Sequence, residues 1–404
     1  MEAIIFKPVI KVIEAKIRKG ILRGNLYGFR TPNASVVLSS NKRSKRYDKV
    51  GVWDSTNDEE MIISPDRIYL YINDVTECFY DNSGWLEKIN FSFFDYEDLF
   101  ARNFDIYKGI PVKEKKVVMI GCGSVGSSAA VQLAKSGIQK FSLVDPDVVS
   151  LSNVARQEYD LQDVGNLKVN ALKNILLRRN PSARIEAFPM DVLKASPKQM
   201  DRIFRNKDLV IVSTDSIKAN TLTTYEVVRR QIPSVYLACY ERAQSGEVIF
   251  YIPGVTPCYM CAVGFRAKHS DPIEKLKNQV LDYSVVDDIT RLMAEPGLAL
   301  NIDYITNLGL MFALALLLGG KSLHYRTLIK PLLPDQNIIF VNAGSEPHMM
   351  FNQPFEVVYG KIKTKTCPVC QAEAFEESLI NEKDINLGYY LEANIEKEEQ
   401  ENEI

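Results

Sequence analysis

Apolar residues follow two rhythms along this chain. Up to about residue 95 they fall in short clusters, at 35–38, 49–53, 61–63 and 68–72, each bounded by polar turn residues. That spacing predicts short strands, with an amphipathic helix over residues 9–19, and so a small β-rich or α+β accessory domain over residues 1–95. From residue 117 on, compact apolar runs alternate with longer stretches whose apolar positions recur every three or four residues. Runs at 117–120, up to Asp145, at 184–188 and at 209–212 predict strands. Stretches reaching Lys135, at 168–179, 199–204 and 217–230 predict helices. Asn180-Pro181 closes the helix at 168–179. The run 209–212 is apolar without a break, as suits a strand covered on both faces. Strands at 234–240 and 247–252 read as a hairpin joined around Gly246. A long buried helix over 301–318 ends at Gly319-Gly320, and late strands follow at 338–341 and 356–359. The fold class is α/β: a Rossmann-like doubly wound, mostly parallel sheet with an antiparallel extension, spanning residues 96–380.

Three stretches break the rhythm. Residues 91–107 are dense in aromatics and are expected to pack against the domain that follows. Residues 268–295 are charged and aperiodic, a crossing segment or lid. Residues 381–404 form an acidic tail with little apolar content, expected to be disordered. Lys42, Arg43, Lys45 and Arg46 form a basic loop, read as a solvated hairpin tip.

Composition narrows the classes. The chain of 404 residues has room for two or three domains, and its 46% hydrophobic and 25% charged residues are ordinary for a soluble globular protein. A net charge of −2 makes no electrostatic case for nucleic acid or an anionic membrane. The most apolar stretch, 308–318, is too short to span a bilayer, and the first residues lack a signal-peptide pattern. Seven cysteines include two C-x-x-C pairs, which in such a chain indicate metal rather than disulfides and a cytoplasmic location.

The sharpest motif is Gly121-Cys-Gly-Ser-Val-Gly126, between the strand at 117–120 and the helix after it. Gly121, Gly123 and Gly126 permit a tight turn and a close approach of backbone N–H groups to a phosphate, beside the positive end of the helix dipole. Asp145 follows at about the spacing, roughly 20 residues in the general motif, of an acid that binds a ribose hydroxyl. Arg156, Lys168 and Asp215 come next. The carboxyl ends of strands in a doubly wound sheet share one crevice, so these side chains are expected around one nucleotide. A dehydrogenase needs no cations over the phosphates; an enzyme attacking the α-phosphate of ATP does. Arg156 and Lys168 would neutralise charge on the pentavalent phosphorus, and Asp215 would hold Mg²⁺ on the triphosphate. Cys258, Cys261, Cys367 and Cys370 supply four thiolates, the tetrahedral set of a structural Zn²⁺ that pins the end of the chain to the sheet domain.

Over residues 102–370 the chain resembles the ThiF/MoeB (HesA/MoeB/ThiF) family of adenylating enzymes, which activate ubiquitin-like proteins. The resemblance rests on GCGSVG from Gly121, VDPDVVSLSNVARQ from Val144, VGNLK from Val164, STD from Ser213 and the two cysteine pairs. It implies condensation of ATP with a C-terminal carboxylate to an acyl-adenylate and pyrophosphate. It assigns ribose binding to Asp145, phosphate binding and catalysis to Asn153, Arg156 and Lys168, and the metal or adenylate to Asp215. It further implies a homodimer in which Arg102 reaches the neighbour's ATP, although Asn103 stands where the family has Gln. Relatives that form a thioester carry a cysteine between the two pairs; residues 262–366 contain none. Cys239, at a strand end near the crevice, is the remaining candidate, and its ordinary reading is a small buried hydrophobe. Relatives that modify microcin-type peptides also lack that cysteine and keep the zinc pairs.

The expected partner is therefore a ubiquitin-like protein or a small peptide, with no nucleic acid and no membrane. A non-catalytic scaffold subunit is the rival that intact Arg156, Lys168 and Asp215 argue against. An NAD(P)-dependent oxidoreductase is countered by the same cations and by the lack of a hydride-relay His or Tyr.

Overall fold

The computed structural model describes residues 1–41, 47–56, 67–72, 76–82, 85–107, 109–263, 297–344, 351–362, 367, 369 and 370. The basic loop at 42–46, the apolar cluster at 61–63, the segment 268–295 and the acidic tail lie outside the described residues. The chain forms two compact units, Met1–Phe104 and Asp105–Ile404.

In the first unit β1 (Glu2–Phe6) runs into α1 (Lys7–Ile17), where a proline opens the helix and Val9 and Ile13, one turn apart, are buried. β2 (Arg23–Arg30), β3 (Ala34–Ser39), β4 (Asp48–Asp54), β5 (Ile68–Ile72), β6 (Thr76–Asn82), β7 (Trp85–Lys88) and β8 (Asn90–Phe94) complete a mixed eight-stranded sheet, ordered β7-β6-β5-β4-β2-β3-β1-β8. Ile5, Ile13, Leu26, Trp53 and Leu70 form its sealed core. β2 is absent from the hydrophobic pattern because its sequence, RGNLYGFR, carries only three apolar residues among two glycines and two arginines. Gly28 sits at a register shift against β3, where an added Cβ would come within 1.8 Å of the Val36 carbonyl oxygen. The aromatic run divides: Tyr107 packs in the core of the following unit as expected, its hydroxyl donating to the Ser136 carbonyl at 2.6 Å, but the start of the run does not. Phe91 to Phe94 pair along β1 within this first sheet, and the Phe94 ring lies 5.1 Å from Phe6. Two short helices, α2 (Tyr96–Leu99) and α3 (Phe104–Tyr107), follow.

The second unit alternates strand and helix: β9 (Lys116–Ile120), α4 (Ser124–Lys135), β10 (Lys140–Val144), α5 (Lys168–Arg179), β11 (Arg184–Phe188), α6 (Pro197–Phe204), β12 (Leu209–Val212) and α7 (Ile217–Arg229). β13 (Ser234–Cys239), β14 (Ser245–Tyr251), α8 (Ala299–Leu318), β15 (Ile338–Asn342) and β16 (Val357–Gly360) complete it. The sheet order is β11-β10-β9-β12-β13-β14-β15-β16; the first five strands are parallel and the last three join antiparallel. All four residues of β12 are buried, as a central strand requires. Each large apolar side chain sealed in this way contributes about 1.5–3 kcal/mol.

Two expectations change. The β13–β14 hairpin turns at 240–244, and Gly246 lies within β14 opposite Cys239. Its glycine is needed for packing, since a Cβ there would meet Ile305 of α8 at 2.8 Å. The 11-residue apolar stretch proves to be part of a 20-residue helix, α8, long and apolar enough by composition to cross a membrane. Half of it is buried, however, with Phe312 stacked on Phe250 at 5.6 Å and Gly309 pressed against Leu237. It is the core helix of this unit.

Candidate active site

The chain leaves β9 toward β10 on one side and later returns to β12 on the other. Such a switch point, flanked by the loops after β9 and β12, is the usual ligand position in sheets of this kind. The loop after β9 carries the three glycines; the loop after β12 carries Ser213, Thr214 and Asp215. Ser213 ties the two together, its hydroxyl donating to the Gly121 carbonyl at 3.2 Å.

The three glycines serve different ends. Gly121 has φ +93°, and a Cβ there would lie 2.6 Å from the Ser213 carbonyl oxygen; at Gly126 a Cβ would lie 2.1 Å from the Gly121 carbonyl oxygen. The fold itself demands both. At Gly123 an added Cβ would meet nothing within 4 Å. Gly123 is also the N-cap of α4, and no side chain caps that end. A helix leaves its first N–H groups without intrahelical partners, so uncapped donors beside open space fit an incoming phosphate.

Asp145 is buried, and its two oxygens accept from the Cys122 N–H at 2.7 Å and the Asp147 N–H at 2.8 Å. Burial pushes its carboxyl above the usual range; the two N–H bonds and nearby Lys168 pull in the opposite direction. Each oxygen retains a lone pair for a further donor such as a ribose hydroxyl. Lys168 opens α5, and its ammonium donates to Asp147 at 2.8 Å. The pair is lopsided, with the lysine side chain 10% exposed and the aspartate 60%. An isolated bridge between Val148 and Leu167 folds the intervening loop back so that these two residues meet.

Arg156 and exposed Asp215 both lie close enough to Cys239 to act on its thiol. The Arg156 guanidinium borders Gly297, just before α8: a Cβ on Gly297 would sit 3.8 Å from it and 3.4 Å from Ala243. Asn153 accepts from the Ser150 N–H at 2.9 Å and so caps the turn Leu151–Asn153. Arg102 sits exposed in a 3-10 turn of the first unit, Ala101–Asn103. Thus Asp145 and Lys168 lie beside the glycine loop at Cys122, Arg156 and Asp215 lie together near Cys239 at the end of β13, and Arg102 belongs to the other unit. Sequence reading includes Asp147 in the motif but not its pairing with Lys168, and it misses Tyr159, whose hydroxyl donates to the Cys122 carbonyl. An aromatic residue three positions after Arg156 gives no signal of that contact.

Burial pushes the Cys239 thiol up to about 12, Asp215 adding to the shift and Arg156 opposing it, so Cys239 stays protonated at neutral pH. The other cysteines form a separate group. Cys258–Cys261, Cys258–Cys367 and Cys261–Cys370 are 3.9, 3.7 and 3.6 Å apart at sulfur, and all four sulfurs lie within 4.8 Å of one another. A disulfide needs about 2.05 Å. Tetrahedral Zn–S bonds of about 2.3 Å place sulfurs about 3.8 Å apart, so the donor set fits a metal ion. Hydrogen bonding among the four thiols pushes Cys258 and Cys261 up and draws Cys367 and Cys370 down, so the set shares its protons unequally.

A glycine-rich strand–loop–helix turn on a doubly wound sheet, with a four-cysteine cluster in the same unit, defines the class. Residues 109–329, more than half of the chain, match the ThiF family, and the chain belongs to that family. It is 31% identical over 153 residues to the adenylyltransferase and sulfurtransferase UBA4 of Kluyveromyces lactis, covering 38% of this chain and 34% of that protein. It is 29% identical over 164 residues to the molybdopterin-synthase adenylyltransferase of Escherichia coli, covering 40% of this chain and 64% of that protein. In both cases it spans less than two thirds of the relative's length. Among solved structures, E. coli MccB with succinimide matches with TM-score 0.50 at 20% identity, covering 67% of this chain and 74% of that one, a likeness of fold.

Proposed function

We propose that this chain is an ATP-dependent adenylyltransferase acting on the C-terminal carboxylate of a ubiquitin-like protein. The observation that supports the reading is an open glycine loop held by Asp145 with Lys168 nearby, while Arg156 and Asp215 lie together near Cys239 in the same unit. In this reading the triphosphate lies along residues 121–126, Asp145 holds the ribose, and Asn153 contributes beside the phosphates. A carboxylate oxygen of the substrate attacks the α-phosphorus, the bond to the β-phosphate oxygen breaks, and pyrophosphate leaves. Lys168 and Arg156 neutralise the charge that develops on the phosphorus oxygens. Mg²⁺ on Asp215 would supply further neutralisation. Arg102 serves the triphosphate of a second copy in a homodimer, in the cytoplasm. A Zn²⁺ in the cysteine cluster would be structural. With Cys239 protonated and no cysteine over residues 262–366, the product is the adenylate rather than a thioester on this chain.

Pyrophosphate exchange into ATP tests this. We expect exchange only with a carboxylate substrate present, and its loss by at least about 100-fold in Asp215→Ala with the fold intact. A ubiquitin-like protein and a short peptide serve as alternative substrates in the assay. Wild-type exchange by Asp215→Ala would overturn the assignment.

A further inference from the structure

Resting on the reading of the crevice as a nucleotide site, we infer that Tyr159 is a positioning residue that aims the Gly123 N–H at the nucleotide's phosphates. Tyr159 is 3% exposed. Its hydroxyl donates to the Cys122 carbonyl at 2.8 Å and also lies 3.3 Å from the Lys168 carbonyl, at the start of α5. The N–H of the same Cys122 goes to Asp145. Both backbone groups of Cys122 are therefore held by buried side chains from the protein side of the loop.

Peptide geometry then sets the direction of the next donor. In a trans peptide unit the carbonyl and the following N–H point opposite ways. Drawing the Cys122 carbonyl inward turns the Gly123 N–H outward, on the loop where an added Cβ would find nothing within 4 Å. Among the described residues that N–H has no backbone or side-chain acceptor. Gly121 and Gly126 shape the loop, and Tyr159 sets the orientation of the Cys122–Gly123 peptide, the first of the unpaired donors that lead into α4. Burial keeps the hydroxyl's pKa well above its ordinary value, with the nearby Cys122 and Asp145 adding to the shift, so it remains a donor at working pH. The ring lies in the core cluster with Val169 and Leu172 of α5 and Ala129 of α4, so phenylalanine fills the same volume and removes only the hydrogen bond.

The test uses the full chain and calorimetric titration with ATP and with adenosine, which lacks the phosphates. We expect Tyr159→Phe to bind ATP about tenfold to 100-fold more weakly, the value of a hydrogen bond to a charged group, with adenosine binding unchanged. Gly123→Ala is a second variant that does not depend on the first one folding. Nothing obstructs its methyl group, so it should melt near the wild-type temperature yet lose ATP affinity. Equal loss for ATP and adenosine in Tyr159→Phe would show general loosening and overturn the inference, as would unchanged ATP affinity in either variant. Failure of the wild-type chain to bind ATP would instead defeat the nucleotide reading, and the inference with it.

Discussion

The crevice and the cysteine cluster are both assembled from residues far apart in sequence, yet they are finished in opposite ways. At the cluster the two C-x-x-C pairs, 109 positions apart, bring four sulfurs within 4.8 Å, sealed among apolar side chains. Every donor faces another donor of the same set. At the crevice an uncapped helix end, an outward Gly123, an exposed Asp215 and a lysine paired only with a solvent-facing aspartate leave capacity for something the chain does not supply. A closed donor set stabilises; an open one binds and reacts. One sheet carries both because the closed site ties down its antiparallel extension, leaving the parallel half to present the crevice.

The largest effect should come from breaking the closed site. With a metal bound, its binding free energy counts as folding free energy, on the order of 10 kcal/mol for such sites. We expect elemental analysis to find one zinc per chain and Cys367→Ser to lower the urea midpoint of the second unit sharply. Absence of zinc together with tolerance of that substitution would remove the contrast.

A smaller effect sharpens the same contrast from the crevice side. Cys239 borders the open site but is held protonated, its thiol pushed from 9.0 up to about 12 by burial. The sign follows from the neutral form being the favoured one when folded. The stabilisation is complete below pH 9 and is lost as pH rises through about 12. Iodoacetamide at pH 8 should leave Cys239 unmodified in the native chain, and Cys239→Ala should cost only about 1 kcal/mol without lowering pyrophosphate exchange. Rapid labelling at pH 8, or lost exchange, would make Cys239 part of the chemistry.

Much of this was legible before the structure, and what was missed has physical causes. α5 and β12 announce themselves because each buries a full helical stripe or an unbroken apolar run. Gly246 reads as a turn because a glycine required for close packing looks, in sequence, like one required for a turn. The aromatics of β8 were misplaced because apolar density does not say which neighbour it meets. The contact of Asp145 with the glycine loop was legible because topology puts the ends of parallel strands β9 and β10 together. Tyr159 was not, since its contact is a hydroxyl on a backbone carbonyl 37 positions away, and no spacing rule records that.

The most direct measurement is a crystal structure of the chain with ATP. We expect the phosphates along residues 121–126, accepting from the Gly123 N–H, with the Lys168 ammonium moved from Asp147 onto a phosphate oxygen. A nucleotide bound elsewhere, with the Lys168–Asp147 pair still at 2.8 Å, would contradict the assignment of the crevice.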